Sequence, residues 1–163
     1  FIRLLIIRIL TKETFYFMKE SLHYLLMSDH FLFQKALVAS VKDTGLTPGQ
    51  PKILDYLINH NGAIQREIAV SCHIEPASLT AILNGMESKG YIERKMDDRN
   101  RRSYHVYLTP LGREYADRLS LEFARIEQKA LEGFSGSEAG QLQQLLSRVY
   151  NNMTKTQKEG TNK

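Results

Sequence analysis

The chain has 163 residues, one domain's worth with room for an extra arm, which argues against a two-domain enzyme. Its composition, 42% hydrophobic and 25% charged, is that of an ordinary globular protein and excludes a wholly disordered or collagen-like chain. The single cysteine, Cys72, rules out an internal disulfide or a cysteine-based zinc knuckle, and the net charge of +4 permits an acidic partner without demanding one.

The first apolar run, Leu4 to Ile7, is bounded by Arg3 and Arg8, which is too short for a membrane span and poorly shaped for a signal peptide. A cytoplasmic protein with no membrane contact is expected. Residues 1–17 (FIRLLIIRILTKETFYF) begin with Phe1 and carry an apolar bias that the following residues lack. They are expected to be a non-native or upstream extension, with translation starting at Met18. The alternative is an apolar helix that adds to a dimer interface.

From Ser21 to about Val41, Leu22, Leu25, Leu26, Phe33, Leu37 and Val41 recur at three- and four-residue steps, the mark of a long amphipathic helix. Thr47-Pro48-Gly49-Gln50 then reads as a helix start, with Thr47 as cap, Pro48 at the first helical position and Gln50 reaching back. Ile53, Leu54, Leu57 and Ile58 form the buried stripe of that second helix, and Asn61-Gly62 ends it. A short helix over Gln65 to Ser71 follows, with Ile68 and Ala69 inward. A break at His73-Ile74-Glu75 precedes another helix that opens at Pro76 and closes at Gly90. This last segment has Leu79, Ile82, Leu83 and Met86 on one face and Ala77, Ser78, Thr80, Ala81 and Asn84 on the other. Two short helices joined by a tight turn, the second presenting a small polar face, form a helix-turn-helix arrangement.

Beyond Gly90 the period changes to two. Tyr91 to Met96 and Tyr104 to Leu108 read as strands joined by a polar hairpin tip, a wing. Thr109-Pro110 caps a long helix bearing Leu111, Tyr115, Leu119, Phe123 and Ile126. Ser135-Gly136-Ser137-Glu138 is a capping box for a last helix with Leu142, Leu145, Leu146, Val149 and Tyr150. The polar residues after Asn151 are expected to fray. The apolar stripes at the two ends exceed what a small central module can cover, so self-association through Leu22, Leu25, Leu26, Leu142, Leu145, Leu146 and Val149 is expected.

A reader of duplex DNA needs a narrow element with small or amide side chains for base edges, and cations for phosphates or the minor groove. Residues 74–102 supply both. Arg94, Lys95, Arg99, Arg101 and Arg102 oppose only Asp97 and Asp98, a net +3 within nine residues. Arginine at that density on a hairpin tip suits a narrow, electronegative minor groove, and Asp97 or Asp98 can hold one arginine in place.

These residues carry a resemblance. The chain resembles the MarR family of bacterial winged-helix transcription regulators from about Ser21 to Val149. The most specific part is Leu79-Thr80 through Lys89-Gly90-Tyr91-Ile92-Glu93-Arg94, then Asp97-Asp98-Arg99-Asn100-Arg101-Arg102, then Leu108-Thr109-Pro110-Leu111-Gly112. The resemblance implies a mainly α fold with a small β-hairpin wing, in which a winged helix-turn-helix is flanked by long N- and C-terminal dimerisation helices. It implies a homodimer that binds pseudo-palindromic operators on double-stranded DNA, often as a repressor released by a small ligand. Arg99 would then be the minor-groove residue and Asp97 its support, while the helix from Pro76 carries Ala77, Ser78, Thr80, Ala81 and Asn84 to the major groove. The corresponding division is 18–45 for the N-terminal dimerisation helix, 46–110 for the DNA-binding module, 111–152 for the C-terminal dimerisation helices and 153–163 for a flexible tail.

The sequence departs from the family where a basic residue is common on the recognition helix. Ala81 stands there, and no Lys or Arg occurs between Ile74 and Ser88, so the wing is expected to carry an unusual share of affinity. Cys72 reads as a core residue, with no basic neighbour in sequence to activate it. His23 and His30, seven residues apart, with Tyr24 and Phe31, are candidates for a pocket that takes a small aromatic or phenolic effector. No metal or cofactor site is expected. No phosphate-cradling loop or nucleophile elbow is present, so an enzyme is not expected. The alternative function is a winged-helix adaptor for protein partners that binds no operator.

Overall fold

In a computed structural model the chain is described over residues 21–96 and 104–160, with side-chain surroundings up to residue 155. The expected extension over residues 1–17 lies outside these. The described residues divide into two compact units, one ending at Ile126 and the other beginning at Glu127. The first unit contains α1 (Leu22–Ser40), a 3-10 turn at Lys42–Thr44, α2 (Gln50–Asn59), β1 (Ala63–Ile64), α3 (Gln65–Ser71), α4 (Pro76–Ser88), β2 (Ile92–Met96), β3 (Tyr104–Leu108) and most of α5 (Pro110–Ala130). The second holds the end of α5 and the whole of α6 (Gly136–Gly160). The three strands make an antiparallel sheet in the order β1-β3-β2, with Ala63 opposite Val106 and Ile92 opposite Leu108. This is the mainly α fold with a β wing that the sequence leads one to expect.

The core of the first unit sits where the helix-turn-helix meets the sheet. Ile53, Leu54 and Leu57 of α2, Ile68 of α3, Leu83 and Met86 of α4 and Val106 of β3 are fully buried there. The apolar spacings of α2, α3 and α4 place these residues inward, and their burial supplies the main driving force for the module. Leu111 of α5 behaves differently, because Gly112, Ala116 and Leu119 form the buried line of that helix while Leu111 is exposed.

Two local starts depend on side-chain oxygens. Ser21 Oγ accepts from the Tyr24 N–H at the head of α1. Thr109 Oγ1 accepts from the Gly112 N–H at 3.0 Å and donates to the Gly90 carbonyl at 2.6 Å, which ties the first turn of α5 to the chain entering β2. The start of α2 differs from expectation. Gln50 does reach back, its Oε1 accepting from the Thr47 N–H at 3.0 Å, but the helix begins at Gln50 rather than Pro48. The reason is Gly49, whose φ of +89° belongs to a turn and cannot continue a right-handed helix. A Cβ at Gly49 would also lie 2.8 Å from Ile82 Cδ1, so the glycine lets α4 pack close to the start of α2.

In the second unit the capping box forms as its sequence implies. The Ser135 N–H donates to Glu138 Oε2 at 2.8 Å, and the Glu138 N–H donates to Ser135 Oγ at 3.3 Å. The helix then runs on to Gly160 across residues expected to fray. No Pro or Gly interrupts residues 141–159, and Thr154 Oγ1 donates back to the Tyr150 carbonyl at 3.0 Å.

Candidate nucleic-acid interface

The turn between α3 and α4 is set by backbone geometry. The Ile74 N–H donates to the Ala69 carbonyl at 2.9 Å, and His73 adopts a left-handed φ of 50°, which redirects the chain into α4. Glu75 provides no side-chain cap, and Pro76 opens the helix with its preset φ and no N–H to satisfy. With Leu79, Leu83 and Met86 anchored in the core, Pro76, Ala77, Ser78, Thr80, Ala81 and Asn84 are all exposed. Thr80 Oγ1 donates to the Pro76 carbonyl at 3.1 Å, so the proton is used within the helix and the methyl group and oxygen lone pairs are what the side chain offers outward.

Arg94 lies at the base of the wing, opposite Val106. Its guanidinium is turned onto α4 rather than held out as a free cation. Nε donates to Glu87 Oε2 at 3.0 Å, Nη2 donates to Asn84 Oδ1 at 2.8 Å, and Nη2 also forms an ion pair with Glu87. The Arg94 backbone N–H donates to Glu87 Oε1 at 3.2 Å, so one carboxylate grips both backbone and side chain. The arginine holds the Glu87 carboxyl below its ordinary pKa. A carboxylate lowered by folding contributes stability above its ordinary pKa and loses it only as pH falls through the lowered value, so the clamp persists through mildly acidic conditions. Glu87 is the residue that sequence reading missed. Its signal was an acidic side chain one turn after Asn84 and a few residues ahead of the first wing cation.

Lys95 points elsewhere. Its Nζ pairs with Glu93 at 2.7 Å and lies 5.1 Å from the centre of the Tyr107 ring. Both members of that ion pair are exposed and screened by water, so Lys95 can exchange Glu93 for a phosphate at small cost. Asp97, Arg99, Arg101 and Arg102 lie outside the described residues.

The remaining candidates separate spatially. His30 lines a cleft of roughly 590 Å³ with Leu37, Val41, Lys52, Asp55 and Phe123. His23, Tyr24 and Phe31 lie instead along another stretch of α1, together with Met27 and Leu32. The two histidines therefore do not converge on one site, despite their helical spacing. Among the described residues, no group of three His, Cys, Asp or Glu side chains could hold a metal ion. Leu22 and Leu25 are exposed on α1 with Leu26 half-buried, and Leu145 and Leu146 are exposed on α6 with Leu142 and Val149 half-buried.

Cys72 is 1% exposed, and its Sγ donates to the Lys52 carbonyl at 3.7 Å. Burial pushes its pKa up, only partly opposed by the charge of Lys52. A neutral, enclosed thiol is a poor nucleophile. Iodoacetamide is therefore expected to label Cys72 only as the protein unfolds, and rapid labelling of the folded protein would contradict this placement.

No helix among the described residues is long and apolar enough to cross a membrane. The MarR family model matches residues 44–103, the segment that contains α2, α3, α4 and β2. A putative transcriptional regulatory protein for the hcr operon of Thauera aromatica is 31% identical over 112 residues, which cover 69% of this chain and 68% of that protein. Among solved structures, the transcriptional repressor CouR bound to a 23-mer DNA duplex superposes with a TM-score of 0.74 at 27% identity, covering 82% of this chain and 94% of that one. A MarR-family regulator from Silicibacter pomeroyi gives a TM-score of 0.72 at 25% identity, covering 79% and 87%. The helix-turn-helix and wing agree with these likenesses, and the chain belongs to the MarR family of transcriptional regulators, which are not enzymes.

Proposed function

We propose that the chain is a cytoplasmic, homodimeric repressor that binds a pseudo-palindromic operator on double-stranded DNA and is released by a small aromatic or phenolic effector. One observation carries the duplex as partner. The small side chains of α4, Ala77, Ser78, Thr80, Ala81 and Asn84, are exposed on a helix whose opposite side is locked into the core, next to a wing whose sequence concentrates a net +3. Such a helix fits the major groove, and such a wing meets phosphates or the minor groove. CouR, a repressor with 27% identity, is bound to a DNA duplex, which supports the same kind of partner here.

Dimerisation is supported by apolar faces that a single copy leaves open. Tyr24, Met27, Phe31 and Leu32 are exposed on α1, and Leu145, Leu146, Tyr150 and Met153 on α6. Two copies bring two recognition helices to half-sites about 10 base pairs apart. The cleft containing His30, Phe123, Lys52 and Asp55 supports the effector reading, since an aromatic wall with a few polar groups suits a small phenolic molecule.

Fluorescence polarisation against the duplex upstream of the chain's own gene tests the reading, with the oligomeric state followed by sedimentation. A dimer that binds at about 10 nM or tighter in physiological salt is expected. A protein that binds no duplex at moderate salt would instead be the winged-helix adaptor.

A further inference from the structure

We propose that Asn84 reads DNA as a donor: Arg94 holds its carbonyl oxygen, so the amide N–H groups face the major groove and select guanine over adenine at one position of each half-site. This rests on the proposed reading that α4 enters the groove. A guanidinium has donors and no acceptor, so its 2.8 Å contact identifies the end of the Asn84 amide facing Arg94 as oxygen and leaves the NH2 end turned away. Arg94 cannot readily release that oxygen, because Glu87 binds its Nε, its Nη2 and its backbone N–H. The Arg94 side chain is only 21% exposed. Asn84 and Glu87 are one turn apart on α4, so helix and first wing strand together fix the amide.

An asparagine that reads adenine in two-point fashion must accept from N6 while donating to N7. Here the accepting atom is turned toward a cation, whose charge disfavours the approach of another donor. The two amide protons remain, and their complement is an edge that offers acceptors only. Guanine presents O6 and N7 in that way, thymine offers O4, and cytosine offers only a donor. No Lys or Arg lies between Ile74 and Ser88, so α4 has no other long donor for guanine, and the amide takes that part.

Binding-site selection from random duplexes, run on the full chain and on Asn84→Ala, Asn84→Asp, Glu87→Gln and Arg94→Met, tests this. The parent is expected to enrich a pseudo-palindrome with one guanine per half-site that depends on Asn84. Asn84→Ala should lose that preference on the order of tenfold while other positions keep theirs. Asn84→Asp replaces the donors by acceptors and should move the preference to cytosine. Arg94→Met and Glu87→Gln free the amide to turn, so adenine should become as acceptable as guanine there, a change of base preference that loss of stability alone does not produce. If Arg94→Met fails to fold, Glu87→Gln and the two Asn84 variants decide. A parent that enriches no sequence overturns both this proposal and the DNA-binding reading beneath it. A parent that enriches an operator with a profile identical to that of Asn84→Ala overturns the role of Asn84 and leaves the DNA-binding reading standing.

Discussion

Gly112→Ala is expected to destabilise the protein by at least about 3 kcal/mol and to lower its melting temperature by roughly 10 °C. A Cβ at this position would lie 1.8 Å from the Tyr91 carbonyl oxygen and 2.8 Å from its carbon, so two backbones must separate to admit one methyl group. Neither is free to move. The Tyr91 carbonyl accepts from the Thr109 N–H at 3.1 Å, the Tyr91 ring is buried 4.9 Å from that of Tyr115, and Thr109 caps α5 through the Gly112 N–H. Separation therefore breaks the cap and lifts the start of α5 from the entry to β2. Gly85→Ala is the contrasting control, because its Cβ would meet only Gln50 Nε2 at 3.6 Å, an ordinary contact. Within α4 that change should stabilise by about 0.5–1 kcal/mol. Thermal melts of the three proteins check both signs, and a Gly112→Ala protein melting with the parent would show that the close approach is not constraining.

Replacing Arg99, Arg101 and Arg102 together by alanine is expected to weaken operator binding by about 3–5 kcal/mol, with Arg99→Ala alone accounting for about 1–3. Residues 74–88 contain no Lys or Arg, and the first wing cation, Arg94, is already held by Glu87 and Asn84. Lys89 donates its Nζ to the Gly45 carbonyl at 2.7 Å, so Lys95 and the three arginines are what remains in this segment to neutralise phosphate or enter the minor groove. Each phosphate contact removed should lower the steepness of the dependence of log affinity on log salt by about 0.9, so the triple variant should flatten it by up to about 2.7. Polarisation over a salt series measures both quantities. An unchanged slope would place the affinity elsewhere on the molecule.

What the sequence could announce depended on how local the cause was. The short helix at Gln65–Ser71, the helix beginning at Pro76 and the strand Tyr104–Leu108 follow from apolar period, a proline and a change of period, all visible within a dozen residues. The strand Ala63–Ile64 was not legible, because two residues carry no period and their pairing with Val106 and His105 spans some forty positions. At α2 the reach of Gln50 back to Thr47 was legible, but the left-handed Gly49 between them was not, since its conformation accompanies a close contact with Ile82 on another helix. The same distinction governs the interface. The exposed face of α4 could be read from the buried one, whereas the Glu87–Arg94–Asn84 clamp joins a helix to a strand. The basic run gives no sign that Arg94 is paired with Glu87 and Asn84 across that junction.

In the proposed function, two copies of α4 and the wing read a duplex in register. Selection of genomic fragments by the chain at physiological salt is the decisive test. Enrichment of a pseudo-palindrome whose half-sites lie about 10 base pairs apart, bound by one dimer per site, is expected. Recovery of fragments without a shared sequence, or of a single unrepeated half-site bound by a monomer, would contradict it.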